Sequence, residues 1–337
     1  MKNSLLELDP DADALLILQC PNLQRLGTVK EQSALSKNEK AQTRLSTLPR
    51  PKRKAPTNFD RLDKLPPYDE YGNPTEIKFR VSAKHLCLAS PVFRKMLKGD
   101  FQESIPNDDG LLEIKTKDWN AQALLILLDI IHGHHLKVHK SLELHTIAHI
   151  GILIDYYDCF EIVEAFSDHW LWSLAPFFPY KWPTLENSIN SFGETEVLLL
   201  FIAWSFRETL PFQSLVYSAI YGTSDVIKTS LPIPVQILDK IEQQRTRLLE
   251  ERFRQLYNLQ DDLSAGRVGC TPEYSCQLLD YLMRQMRDND LPISKPEHPF
   301  VGFSFNSVNG FMKGIRTPWQ FNREHTLNAS GNQRYGC

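Results

Sequence analysis

Glycine is scarce, with 15 in 337 residues, and none of them falls into a GxGxxG fingerprint, a P-loop or a nucleophile elbow. The backbone cradles that bind phosphates or present a catalytic serine need glycine at fixed spacings, so their absence removes the commonest cofactor-binding and hydrolase frameworks. Cysteine is sparse too. Its six copies, at 20, 87, 159, 270, 276 and 337, are too scattered for a disulfide-stapled secreted domain, which points to a reducing compartment, cytosol or nucleus. Long apolar runs are missing. The longest, Val197 to Ala203, falls far short of the roughly 20 residues a bilayer span needs. The opening MKNSLLELDPDADALLIL places acids inside the only candidate leader, so neither a secretion signal nor a membrane anchor is expected. No repeat of fixed period runs through the chain.

Charge is the next thing in short supply, at a net of −3, but it is unevenly laid out. Residues 25–74 hold eleven Lys/Arg against six Asp/Glu, a local +5 that leaves −8 for the rest. They also hold six prolines and few apolar side chains. Such a stretch cannot bury enough surface to offset the entropy of ordering, and it reads as a disordered insertion.

The remainder carries clear periodicities. Asp13 to Leu18 is an apolar run of strand length closed by Pro21-Asn22, and Ile77 to Val81 alternates apolar and basic residues with period two. The two are expected to pair as neighbouring strands, because loop-closure cost grows only with the logarithm of the intervening length. Ser82 is placed to cap a short helix through Leu88, and Ser90-Pro91 to start another that Gly99 ends. A third strand is expected at Leu111 to Ile114, then helices over Trp119 to His132 and Leu142 to Tyr156. Asp158-x-x-Glu161 has the spacing of a capping box at the head of the next helix, with Ile162, Val163, Phe166 and Trp170 facing inward.

Three prolines between 175 and 193 mark a linker. Beyond it, helices are expected over Glu194 to Phe206, Phe212 to Tyr221, Pro234 to Leu263, Pro272 to Arg287 and Ser307 to Ile315, and a flexible tail over 321–337. In the longest helix the stripe Leu238, Ile241, Leu248, Leu256, Leu259 is interrupted by Arg245 and Arg252, the pattern of a packed surface helix rather than a coiled coil.

Three segments in order, RVSAKHLCLASPVFRKMLKGDFQES (80–104), LLEIKTKDWNAQALLILLDIIHGHH (111–135) and LHTIAHIGILIDYYDC (144–159), resemble the BTB/POZ domain in the form common in filamentous fungi. The similarity covers about 9–24 and 75–173, with 25–74 as the insert. The later IAWSF, LPIP, CTPEYSC and Pro318-Trp319 resemble, more loosely, the helical extension that follows such domains, here 194–320. Many family members have His-Lys where this chain has His85-Leu86, and most join the first two strands tightly. The resemblance implies an α+β first domain, a small sheet with a helical cluster, followed by a mostly α-helical region. It implies a protein-interaction module, scaffold or adaptor, with protein partners, a second copy of itself among them, and no cofactor. Some relatives dock on the cullin scaffold of ubiquitin ligases; a nuclear regulator working near DNA is a separate reading, motivated by the basic segment at 48–56. Nuclear or cytoplasmic residence follows, with neither membrane nor nucleic-acid partner expected.

Individual residues carry alternatives. By that resemblance Phe101-Gln102-Glu103 sits where cullin-binding relatives carry an apolar-x-Glu motif, the ring filling a partner pocket and the carboxylate accepting a hydrogen bond. Otherwise Phe101 packs within the domain and Glu103 is solvated. Asp13 and His85 match two polar positions of the family, and a buried contact between them would fix local geometry without chemistry. LPRPKRKAP, with Arg50, Lys52, Arg53 and Lys54, is a solvated linker, a nuclear import signal or a weak, salt-sensitive phosphate contact. Cys270, Cys276, His325 and Cys337, with His298 nearby, could supply zinc ligands. The five-residue gap between the first two cysteines exceeds the usual two to four, however, and Cys276 also fits a core position beside Leu279 and Met283. A thiol enzyme built on His85, Cys87 and Cys159 lacks an oxyanion-type glycine cluster, and His132, His134, His135 and His139 read as a solvated turn.

Overall fold

The alternation at Ile77–Val81 sets the fold, because its apolar side chains (Ile77, Phe79, Val81) are all buried while Lys78 and Arg80 remain half-exposed. The computed structural model describes residues 4–27, 62, 75–174, 192–269 and 271–317. Four strands, β1 (Ser4–Glu7), β2 (Ala14–Gln19), β3 (Ile77–Val81) and β4 (Leu112–Lys117), form one sheet in the order β1-β3-β2-β4. Strands β2 and β3 are antiparallel with Leu16 opposite Phe79, as their patterns anticipate. β4 runs parallel to β2. β1, which the sequence reading did not assign, runs parallel to β3 on its other edge.

Ten α-helices lie among the described residues: α1 (Ala83–Ala89), α2 (Pro91–Lys98), α3 (Ala121–Ile131), α4 (Leu144–Tyr157), α5 (Phe160–Leu174), α6 (Glu194–Ser205), α7 (Thr209–Gly222), α8 (Val235–Ser264), α9 (Pro272–Asp288) and α10 (Phe305–Gly314). None is long and apolar enough to cross a membrane. The chain divides into two bodies. The first takes the described residues of Met1–Trp182, Glu194–Leu215 and Lys228–Ile233; the second takes those of Val216–Ile227 and Pro234–Cys337, with residues 192 and 193.

In the first body α3 is apolar at nine of its eleven positions and buried at ten, Asp129 among them, so it lies inside the core. The strand β2 is buried on both faces. α4 packs on α6, and Gly151 is what lets them approach, because a Cβ there would lie 3.0 Å from Ser205 Oγ and 3.2 Å from the Phe201 ring. The proline-marked boundary at 175–193 therefore does not separate α6 from the sheet domain's helices. The segments 25–74, 175–193 and 321–337 fall wholly or largely outside the described residues, and so do Arg50, Lys52, Arg53, Lys54, Cys270, His325 and Cys337.

The second body is built on α8, whose buried stripe is Ile241, Arg245, Leu249, Phe253, Leu256 and Leu263. Arg245, read from sequence as a break in that stripe, is instead fully buried and hydrogen-bonded four times, to Glu242 Oε1 and Oε2 and to the carbonyls of Pro299 and Phe303. The apolar phase thus runs through Leu249 and Phe253 rather than Leu248. α9 differs likewise: Ser275 is the buried residue and Cys276 is exposed. The serine can take the inward place because its hydroxyl donates to the Val268 and Thr271 carbonyls at 2.5 and 3.1 Å.

Candidate functional site

The strand β3 delivers the chain directly into α1, and the backbone N–H groups of Ser82, Ala83 and His85 at that junction each find a side-chain acceptor. Ser82 is the N-cap, its hydroxyl accepting from the His85 N–H at 3.5 Å. The Ala83 N–H donates to Asp13 Oδ1 at 2.7 Å, so the carboxylate just before β2 satisfies an orphan donor of the helix start. The Ser82 N–H donates to His132 Nε2 at 3.0 Å, while His132 Nδ1–H donates to the Leu128 carbonyl at 2.8 Å. The second bond fixes the tautomer that leaves Nε2 free to accept.

Asp13 and His85 therefore do not meet. His85 is about half exposed, with Nδ1 3.9 Å from Asp9 Oδ2, an ion-pair geometry of little energetic weight. The ring that performs the buried task is His132, dismissed in the sequence as part of a solvated turn. Its neighbours are engaged as well. His134 Nδ1 lies 3.1 Å from the buried Asp129 carboxylate, His135 packs edge-on to Phe166, and the His139 carbonyl accepts from Trp170 Nε1. Among the described residues no three His, Cys, Asp or Glu side chains gather as a metal site requires.

Ser90 closes α1 and opens α2 in one step. Its N–H donates to the Leu86 carbonyl, and its hydroxyl accepts from the Phe93 N–H and donates to the Tyr157 carbonyl. Phe93 then stacks on Tyr157 at 4.2 Å. Burial pushes the Cys87 thiol up and the Cys159 thiol up to about 12, so both stay protonated and neither is poised as a nucleophile. Asp158, expected to cap α5, adopts a left-handed conformation (φ 47°) as the C-cap of α4, and the Cys159 N–H donates back to the Ile154 carbonyl.

Past α2 the chain makes a 3-10 turn at Gln102–Ser104. Phe101 is 46% exposed at its start, the Phe101 carbonyl accepts from both the Ser104 N–H and hydroxyl, and Ile105 is exposed just after it. The Phe101 ring lies along the backbone at Gly99, where a Cβ would come within 3.0 Å of the ring and 2.5 Å of the Lys95 carbonyl. The turn thus presents an aromatic ring and, two residues on, a half-exposed Glu103 whose carboxylate has no hydrogen bond or ion pair among the described residues.

Two histidines of this body make its stability pH-dependent. Burial lowers the pKa of His132, and burial followed by the charge of His145 lowers that of His149 from 6.5 to about 4. Both rings are held neutral in the fold. The contribution of His149 is complete above the unfolded value near 6.5 and is lost as pH falls from there toward 4, and that of His132 is lost in the same direction. From His149 alone the expected loss between pH 7 and pH 5 is about 1–2 kcal/mol after allowance for its partial exposure. Asp155 and Glu208, whose pKa values burial raises, act in the opposite direction. The diagnostic quantity is therefore the difference in unfolding midpoint between wild type and His149→Gln, which should narrow as pH is lowered.

Residues 73–173, 101 of the 337, match the BTB/POZ domain family, and a small mixed sheet clasped by helices with a helical region after it is the arrangement observed. BTB/POZ domains are protein–protein interaction modules. No curated protein and no solved structure matches the chain.

Proposed function

We propose that this chain, carrying a BTB/POZ domain at 73–173, works as a scaffold or adaptor whose first body associates with a second copy of itself or with another protein. The observation that carries the reading is the economy of the polar groups around α1 and α2. Asp13, Ser82, Ser90 and His132 each hold a neighbouring backbone group in place, while apolar Leu88, Phe101 and Ile105 are left at the surface at 70%, 46% and 68% exposure. Side chains that position backbone and apolar groups that face water suit recognition of another protein. Size-exclusion chromatography with light scattering, together with affinity purification, tests it. Self-association or a recurrent protein partner is expected. A strict monomer that retains no protein would overturn the reading.

Exposure of Phe101 and the unengaged Glu103 carboxylate favours one narrower version, a substrate receptor docked on a cullin scaffold. In it the ring enters an apolar pocket of the scaffold and the carboxylate accepts a hydrogen bond. Phe101→Ala with Glu103→Lys is expected to abolish cullin copurification, a loss of about 2 kcal/mol or more for a residue of this kind. Both positions are on the surface, so the thermal midpoint should change little. Copurification that survives the double change rules the cullin version out and leaves the broader scaffold reading standing.

A further inference from the structure

Within the first body, the turn from α4 into α5 and the turn from α6 into α7 face each other across a cavity of about 500 Å³. The first turn contributes Asp155, Asp158 and Phe160, the second Trp204, Arg207 and Glu208, with Phe212 from the start of α7. Two of these residues, Asp158 and Arg207, have φ of 47° and 59°, and each sits where one helix stops and the next begins.

The lining combines carboxylates with aromatic rings. Asp155, Asp158 and Glu208 bring three carboxylates, and none of them has a side-chain hydrogen bond or ion pair among the described residues. Arg207 does not neutralise them. It makes no ion pair among the described residues, and its guanidinium instead lies over the Phe160 ring, 4.6 Å from the centroid. Trp204 and Phe212, which also line the cavity, form an aromatic pair, centroids 5.8 Å apart and tilted by 48°, with Trp204 38% exposed. Asp155 and Asp158 are exposed and Glu208 is half-buried, and their summed negative charge favours a cation seated among them. Burial already raises the pKa of Asp155 and of Glu208, with the neighbouring charges of Asp158 and Asp168 adding in the same direction. An aromatic face beside them favours a cation carried on an apolar stem or spread over a planar group.

We propose that this groove receives a lysine or arginine side chain from a basic peptide segment of a partner protein, the charge meeting Asp155 and Glu208 and the stem or guanidinium packing on Trp204 and Phe212. The cavity volume lies within the range usual for a small ligand, so it accommodates one such side chain with its flanking backbone. The inference rests on the reading of the chain as an interaction module and names the chemistry of one partner contact. That contact differs from the Phe101–Glu103 turn in its residues and its place in the fold.

The test uses the full chain and a fluorescein-labelled heptapeptide with one central arginine flanked by glycine and serine, titrated by fluorescence anisotropy. A matched peptide with citrulline at the centre keeps the shape and removes the charge. The arginine peptide is expected to bind at least about tenfold more tightly than the citrulline one. Asp155→Asn with Glu208→Gln is expected to lose that difference, and Trp204→Ala to weaken both peptides. Asp108→Asn with Asp109→Asn, an equal change of charge on an exposed loop of the same body, is expected to leave binding unchanged. Equal binding of the two peptides, an unaffected groove variant, or a loop variant that loses binding equally overturns the inference. A gain of about tenfold on removing residues 48–56 would overturn the assignment to a partner, because the chain's own basic segment would then be the occupant. The carboxylate variants are near-isosteric, and thermal melts at or above wild type show that the fold is kept. A chain that self-associates normally yet discriminates no peptide loses only this inference, whereas a strict monomer that nonetheless binds the arginine peptide loses the self-association route alone.

Discussion

Arg245→Ala is expected to destabilise the second body by about 3–5 kcal/mol, the range for breaking a buried charge pair from one side. The arginine is fully buried on α8, where its Nε and Nη2 hold both carboxylate oxygens of Glu242 at 2.9 and 2.8 Å. Its remaining donors reach the Phe303 carbonyl at 3.1 Å and the Pro299 carbonyl at 2.5 Å. These two carbonyls belong to the segment that leads into α10, so one side chain ties that segment to α8. Alanine leaves the carboxylate and both carbonyls without these donors and opens a cavity where the guanidinium was held. The measurement is hydrogen exchange across α8 and α10, where protection should fall by about two orders of magnitude or more. Arg245→Met separates the causes. It restores most of the volume but none of the hydrogen bonds, so an intermediate effect is expected, and a methionine variant as stable as wild type would show that packing alone matters here.

Trp170→Ala is expected to cost the first body about 3–5 kcal/mol, as large-to-small changes at filled aromatic sites do. Trp170 has no exposed surface, packs edge-on to Phe206 at 6.3 Å and beside Phe166 at 6.0 Å, and donates Nε1–H to the His139 carbonyl at 2.8 Å. Trp170 sits on α5 and meets Phe206 immediately after α6, so one deletion loosens the connection between the family-matched region and the helix that follows. A lower denaturant midpoint with an unchanged slope is the expected signature. Trp170→Phe keeps much of the ring but removes the indole donor, and about 1–2 kcal/mol is expected for that bond and the lost volume together.

What the sequence discloses about this fold depends on whether a local pattern has a single physical meaning. Ile77 to Val81 was legible because strict alternation admits only a strand with one face inward, and Ser82 and Ser90-Pro91 because a hydroxyl before a helical run serves one purpose. β1 was not legible: four residues with one leucine exposed and no alternation form a strand only because β3 offers an edge. Asp158 was misleading because aspartate satisfies both an N-cap and a left-handed C-cap, and the spacing to Glu161 suggested the wrong one. Arg245 defeated periodicity altogether, since an arginine enters a core only where carbonyls from a distant segment await it. The partner-facing residues split the same way. Phe101 and Glu103 lie together in sequence and could be named, whereas the acidic, aromatic groove draws its halves from two turns some fifty residues apart.

The placement of β3 between β1 and β2 bears on how the chain comes together during synthesis. Both outer neighbours of that strand leave the ribosome within the first 19 residues, yet their shared partner emerges only at 77–81. At typical elongation rates the early pair waits roughly 3–12 seconds with its backbone edges unmatched. During that interval Leu6, Leu16 and Leu18, all buried at the end, lack the strand that covers them, which makes this pair of strands the natural client of a chaperone.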